Sequence, residues 1–184
     1  MGARGGPSGH SPPGHSDAKP DPEWIERLRR SGIRIDREGE FQHEGQPVRH
    51  EGLRRALFRW LDRLPDGRAI LRLDDKRYAF VDVDDTPLVA RAARVTPAGD
   101  AVFLALSDGS EERLDAATLT VDDAGVLRCQ VRGGRLEARL ANSAAAVLGE
   151  LIDDASGSDA PMLRLGSVPT PIARRPAGPP AAPP

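Results

Sequence analysis

The stretch Ile33-Arg34-Ile35-Asp36-Arg37-Glu38-Gly39-Glu40-Phe41 decides how the chain is read, because Leu119-Thr120-Val121-Asp122-Asp123-Ala124-Gly125-Val126-Leu127 repeats its pattern. In both, apolar residues alternate, an Asp opens a turn and a Gly follows three positions later. Alternation gives each strand one buried face, and Asp with a later Gly supplies a side-chain-bonded turn and its positive-φ position. Each copy continues into further strand and then a helix. Ile33 to Leu64 and Leu119 to Ile152 therefore read as a duplicated strand-strand-helix core in an α+β fold with antiparallel sheets.

The sequence around these copies predicts four units. Residues 1–20 are Gly, Ser, Pro and His with almost no apolar content, and they read as a disordered tail. Residues 21–67 form an N-terminal subdomain of helix, hairpin and helix. Its first helix starts at Asp21-Pro22-Glu23 and closes at Gly32, and its second carries Leu53, Leu57, Trp60, Leu61 and Leu64 as an apolar stripe. Residues 68–153 form a β-rich subdomain. Its runs are 69–73, 78–83, 88–95, 101–106, 111–114, 118–121, 126–131 and 135–140, in connections too short for crossover helices, so an antiparallel meander is expected. A helix from Asn142 to Ile152, N-capped by Asn142 or Ser143, closes it. Residues 154–184 are a Pro/Ala-rich disordered tail in which Met162, Leu163 and Leu165 can dock back.

Composition narrows function without naming it. The 184-residue chain has a net charge of −2, 4% aromatic residues and one cysteine. Cys129 has no internal disulfide partner, and no Cys/His cluster has metal spacing, so a reducing cytoplasmic setting with no cofactor is expected. No apolar run reaches about 18 residues, which argues against a membrane span. The basic face of Arg54, Arg55, Arg59 and Arg63 is not interleaved with aromatics, which argues against nucleic acid. Basic residues prevail before Leu73 and acidic ones from Asp74 to Asp123, a division that can polarise a groove between two halves.

Four features invite a chemical reading. Asp82, Asp84 and Asp85 are the densest acidic cluster, and they suit either metal or acid/base chemistry, or turn formation with pairing between the halves. Arg132-Gly133-Gly134-Arg135 suits anion capture, since Gly lets backbone N–H groups approach and Arg adds bidentate contacts. It equally suits a hairpin turn with outward Arg. Cys129 reads as a small core residue rather than a nucleophile. His10, His15, His43 and His50 read as polar tail or loop residues.

Three motifs carry a likeness to a known family. They are Ile33-Arg34-Ile35-Asp36-x-x-Gly39-x-Phe41-x-x-x-Gly45-x-Pro47, then Val81-x-Val83-x-Asp85-x-Pro87-Leu88, then Val131-Arg132-Gly133-Gly134-x-Leu136-Glu137-Ala138. In this order, over residues 33–152, the chain resembles the bacterial family called domain of unknown function 1285. The resemblance implies a duplicated core, a C-terminal part like a pleckstrin-homology barrel capped by a helix, and an interdomain groove for a nucleotide-like ligand with a role in signalling. It implies no enzymatic activity. The expectation is therefore a non-enzymatic binding module with Lys76, Arg132, Gly133, Gly134, Arg135 and Asp85 at its ligand. The alternatives are a protein–protein adaptor using its surface or the Pro176-x-x-Pro179 tail, and a hydrolase built on the Asp82–Asp85 cluster.

Overall fold

The computed structural model describes residues 30–153 and 160–175. The expected tail 1–20, the helix start at Asp21 and the Pro-rich end beyond Arg175 lie outside these residues. Arg30 to Gly32, expected to end that helix, instead begin a strand, β1 (Arg30–Ile35). Gly32, at φ 65°, marks a bulge there, because the register of β1 shifts between Arg30 and Arg34.

The chain then builds two sheets by the same route. From β1 a meander runs outward through β2 (Phe41–His43) and β3 (Gln46–Pro47). Helix α1 (Glu51–Trp60) carries the chain to the opposite edge, capped by His50, whose Nδ1 accepts from the Leu53 N–H. A second meander returns through β4 (Leu61–Arg63), β5 (Ala69–Arg72) and β6 (Tyr78–Val83) until β6 lies parallel to β1 at the centre. The second sheet repeats this with β7 (Leu88–Val95), β8 (Val102–Leu106) and β9 (Glu111–Arg113). A single 3-10 turn at Ala116–Thr118 then leads to β10 (Thr120–Val121), β11 (Leu127–Val131) and β12 (Leu136–Leu140). Here β12 runs parallel to β7. The spatial orders, 3-2-1-6-5-4 and 10-11-12-7-8-9, coincide once six is subtracted and one is reversed.

The fold is therefore α+β with mixed sheets, and two expectations change. The meander is not wholly antiparallel: β1 with β6, β7 with β12 and β10 with β16 (Ala173–Arg174) are parallel pairs. Neither sheet closes into a barrel. The first sheet extends past Gly67, since β5 and β6 are two of its strands.

The Asp36 and Asp122 turns do share their geometry. Each Asp N–H donates to the carbonyl four residues on, each Gly N–H donates back to the Asp carbonyl, and each carboxylate accepts two further backbone N–H groups. The backbone pattern recurs at Leu64–Arg68 and Leu106–Ser110, so the turn type itself demands a Gly three residues on. However, β1 lies at the centre of its sheet and β10 near the edge of the other. The repeat visible in sequence thus falls at places that do not correspond in the sheets.

Helix α2 (Asn142–Gly149) buries Ala144 and Leu148 and rests mainly on β7. Its N-cap is Ala141, without a side-chain bond; the Ser143 hydroxyl instead donates to the Arg91 carbonyl. Residues 160–175, expected to belong to a disordered tail, form strands. A small third sheet joins β13 (Ile152–Asp153), β14 (Met162–Leu165) and β15 (Val168–Pro171), after which β16 pairs with β10. Leu163 and Ile172 are fully buried, the first as the docking residue anticipated. One apolar cluster spans both sheets, from Ile35, Phe41 and Leu57 to Leu104, Leu136 and Leu148.

Candidate functional site

Between the two sheets lies a groove of about 630 Å³. Its walls come from β6, the β4–β5 turn, the linker before β7 and β12, with the residue after β16 completing the rim. Four arginines reach it: Arg30, Arg63, Arg68 and Arg175. The Arg68 guanidinium carbon sits 4.4 Å from the Phe80 ring centre while its Nε lies 2.8 Å from Asp66 Oδ2. A cation is thereby stacked on an aromatic face and tethered at its edge. Arg63 Nη2 donates to the Gly134 carbonyl at 3.3 Å, and Arg175 Nη1 pairs with Glu137 Oε1 at 2.6 Å.

The acidic cluster separates rather than converges. Asp82 faces the groove, Asp84 pairs with Arg34 at 2.5 Å, and Asp85 holds Arg128 at 2.9 Å and Arg139 at 3.1 Å. Thr86, 1% exposed, donates to the Leu88 carbonyl and accepts from the Arg139 N–H, locking the linker onto β12. Asp85 therefore lines the groove but spends its charge on fixing the linker to β11 and β12 of the second sheet. Among the described residues no group of three His, Cys, Asp or Glu could hold a metal ion.

The Arg132–Arg135 turn does not line the groove, although its Gly134 carbonyl accepts from the groove residue Arg63. Arg132 stands at φ 52°, followed by Gly133 and Gly134, also at positive φ. Its guanidinium pairs with Asp108 at 2.6 Å and donates to the Leu61 carbonyl, while its own N–H donates to Glu112. Arg132 thus caps the β4 edge. Burial disfavours the Asp108 carboxylate, but hydrogen bonds from Ser110 and Arg132 outweigh it and hold its pKa below the ordinary value. Arg135 is largely exposed, 3.9 Å from Asp62. Lys76 belongs elsewhere, in the β5–β6 turn with Asp74, Asp75 and Arg77, at the end of the hairpin away from the β4–β5 turn. Of the expected ligand residues, the structure therefore places Asp85 on the groove wall and leaves Arg132, Gly133, Gly134, Arg135 and Lys76 off it.

Cys129 is 1% exposed, and burial first, with Glu137 next, pushes its thiol up to about 12, which leaves it protonated and inert. His50 caps a helix and His43 ends β2. The groove residues that local reading passed over are Arg30, Arg63, Arg68, Phe80 and Arg175. Arg63 looked like part of a solvated helix face and Arg175 like part of a tail; only Asp66-Gly67-Arg68, a turn ending in a cation, carried a usable signal.

In comparisons with known proteins, no family model and no curated protein matches the chain. Two solved structures do. A DUF1285 family protein from Silicibacter pomeroyi DSS-3 is 20% identical and aligns over 86% of this chain and 90% of its own, with a TM-score of 0.64. A second, from Shewanella baltica OS155, is 16% identical over 60% of this chain and 84% of its own, with a TM-score of 0.51. The likeness expected from the three motifs holds at the level of the fold.

Proposed function

We propose that this chain belongs with the DUF1285 proteins whose fold it shares, and that it is a non-enzymatic module binding a nucleotide-like anion in the groove between its sheets. The observation that carries this reading is the meeting of arginines with Phe80 around one open cavity of about 630 Å³, a size that accommodates a nucleotide. Arginine forks suit phosphate oxygens, and an aromatic face with a stacked guanidinium suits a planar base. A signalling role follows the same reading, since binding without turnover makes a sensor. The buried, unpaired thiol fits the reducing cytoplasm.

We also read the core as two copies of one six-stranded unit, residues 30–83 and 88–140, with their common strand order as support. The pleckstrin-homology likeness of the second copy rests on its two meanders followed by α2.

A thermal-shift screen against nucleoside mono-, di- and triphosphates tests the function. A saturating rise of a few °C with one nucleotide, lost in Arg30→Ala and Arg63→Ala, is expected. A flat screen with a copurifying protein overturns it in favour of the adaptor, and metal-dependent turnover abolished by Asp82→Asn overturns it in favour of a hydrolase.

A further inference from the structure

We propose that residues 160–175 are part of the ligand site: they deliver Arg175 to the groove, so that groove occupancy and docking of this segment reinforce each other. The inference rests on the groove reading above and extends it to the partner of that site within the same chain. Arg175 is the groove arginine that neither six-stranded meander system supplies. It arrives on a separate segment whose hold on the molecule can be enumerated.

Ile172 is 1% exposed and its N–H donates to the Pro161 carbonyl at 2.8 Å. Thr120 and Val121 of β10 pair with Ala173 and Arg174, and the Arg175 N–H donates to the Val121 carbonyl at 2.8 Å. These contacts fix the Arg175 backbone. Beyond them, the guanidinium spans to Glu137 on β12, where one Nη1–Oε1 contact of 2.6 Å orients it at the groove rim. A guanidinium has five N–H donors, so a partner at Nη1 leaves others for a phosphate oxygen. The Arg175 side chain is 41% exposed and that of Glu137 21%, and both residues line the groove.

A phosphate that engages Arg175 gains only when the segment is docked. By linkage it must then stabilise the docked segment by the same factor as docking raises its affinity. The partner chemistry is thus a phosphate-bearing anion, and the strap is its sensor.

The test uses the full chain and inorganic pyrophosphate together with the nucleotide that gives the largest thermal shift. Amide hydrogen exchange is followed across residues 160–175, and affinity is measured for wild type, Arg175→Ala, Arg175→Lys and Arg164→Ala. Arg164 is the control, because it is on the same segment but pairs with Asp153 away from the groove. The expected result is slower exchange around Ile172–Arg175 on binding, an affinity loss of about tenfold in Arg175→Ala, partial recovery in Arg175→Lys and no change in Arg164→Ala. Tight binding with unchanged exchange, or with Arg175→Ala equal to wild type, overturns the strap's role and leaves the groove reading standing. Absence of binding to the wild type overturns both.

Discussion

At Gly39 the backbone has φ 76°, and a Cβ there would lie 3.0 Å from Val89 Cγ2 and 3.1 Å from Ser107 Oγ. At Gly125 the backbone has φ 77° and a Cβ would meet nothing within 4 Å. One turn type therefore has two different sensitivities. Gly125→Ala should cost about 1 kcal/mol for the left-handed backbone alone, and Gly39→Ala roughly 2–3 kcal/mol because the first sheet's turn is pressed against the second sheet. Equal losses in chemical denaturation would contradict that packing. Arg132 gives a second residue-level prediction. Arg132→Ala leaves the Asp108 carboxylate buried without its partner and should cost about 3 kcal/mol, whereas replacing both by apolar residues should cost less. The Asp108 pKa is lowered on folding, so the unfolded chain binds more protons as acid is added. Its contribution is complete above its ordinary value of 3.8 and is lost as pH falls below that. Asp108→Asn should accordingly flatten the acid limb of a stability–pH profile, and an unaltered limb would show that the pair does not contribute.

Residues 160–175 behave as a structural element rather than a tail, and Ile172 is its anchor. Ile172→Ala should destabilise the whole fold by roughly 2–4 kcal/mol, while Val168→Ala, at a side chain 70% exposed, should change stability by less than about 0.5 kcal/mol. Similar small effects at both would mean the segment is not part of the core. Its composition explains why sequence concealed it, since Pro, Ala and Gly surround two buried apolar residues and no alternation is long enough to read. Strands β5 to β8 were legible because alternation and turn residues are local signals. The parallel pairing of β1 with β6 and of β7 with β12 was not, because it follows from which edge the chain crosses to after β3 and β9. The α2 cap misled for another reason: the Ser143 hydroxyl donates to the Arg91 carbonyl rather than accepting from an orphan N–H of its own helix.

For the whole molecule, two open sheets share one apolar cluster yet leave a groove along their junction. The Asp82–Asp85 motif belongs to that junction: it supplies one groove carboxylate, one pair to β1 and one clamp to β11 and β12. The Arg132–Arg135 turn was legible in sequence as a glycine turn flanked by cations, but Arg132 goes to Asp108 and the Leu61 carbonyl and Arg135 toward Asp62 rather than to the groove. The cations inside it come from positions as far apart as Arg30 and Arg175, whose convergence no local pattern encodes. Lys76 shows the converse, the one lysine among the described residues, placed by its hairpin at the end away from the groove. The most direct measurement is a backbone amide NMR titration of the full chain with the nucleotide selected by thermal shift. Saturating shifts at residues 63–69, 80–87, 137 and 172–175 are predicted; shifts confined to the Lys76 turn, or none at saturating concentration, would contradict the groove as the binding site.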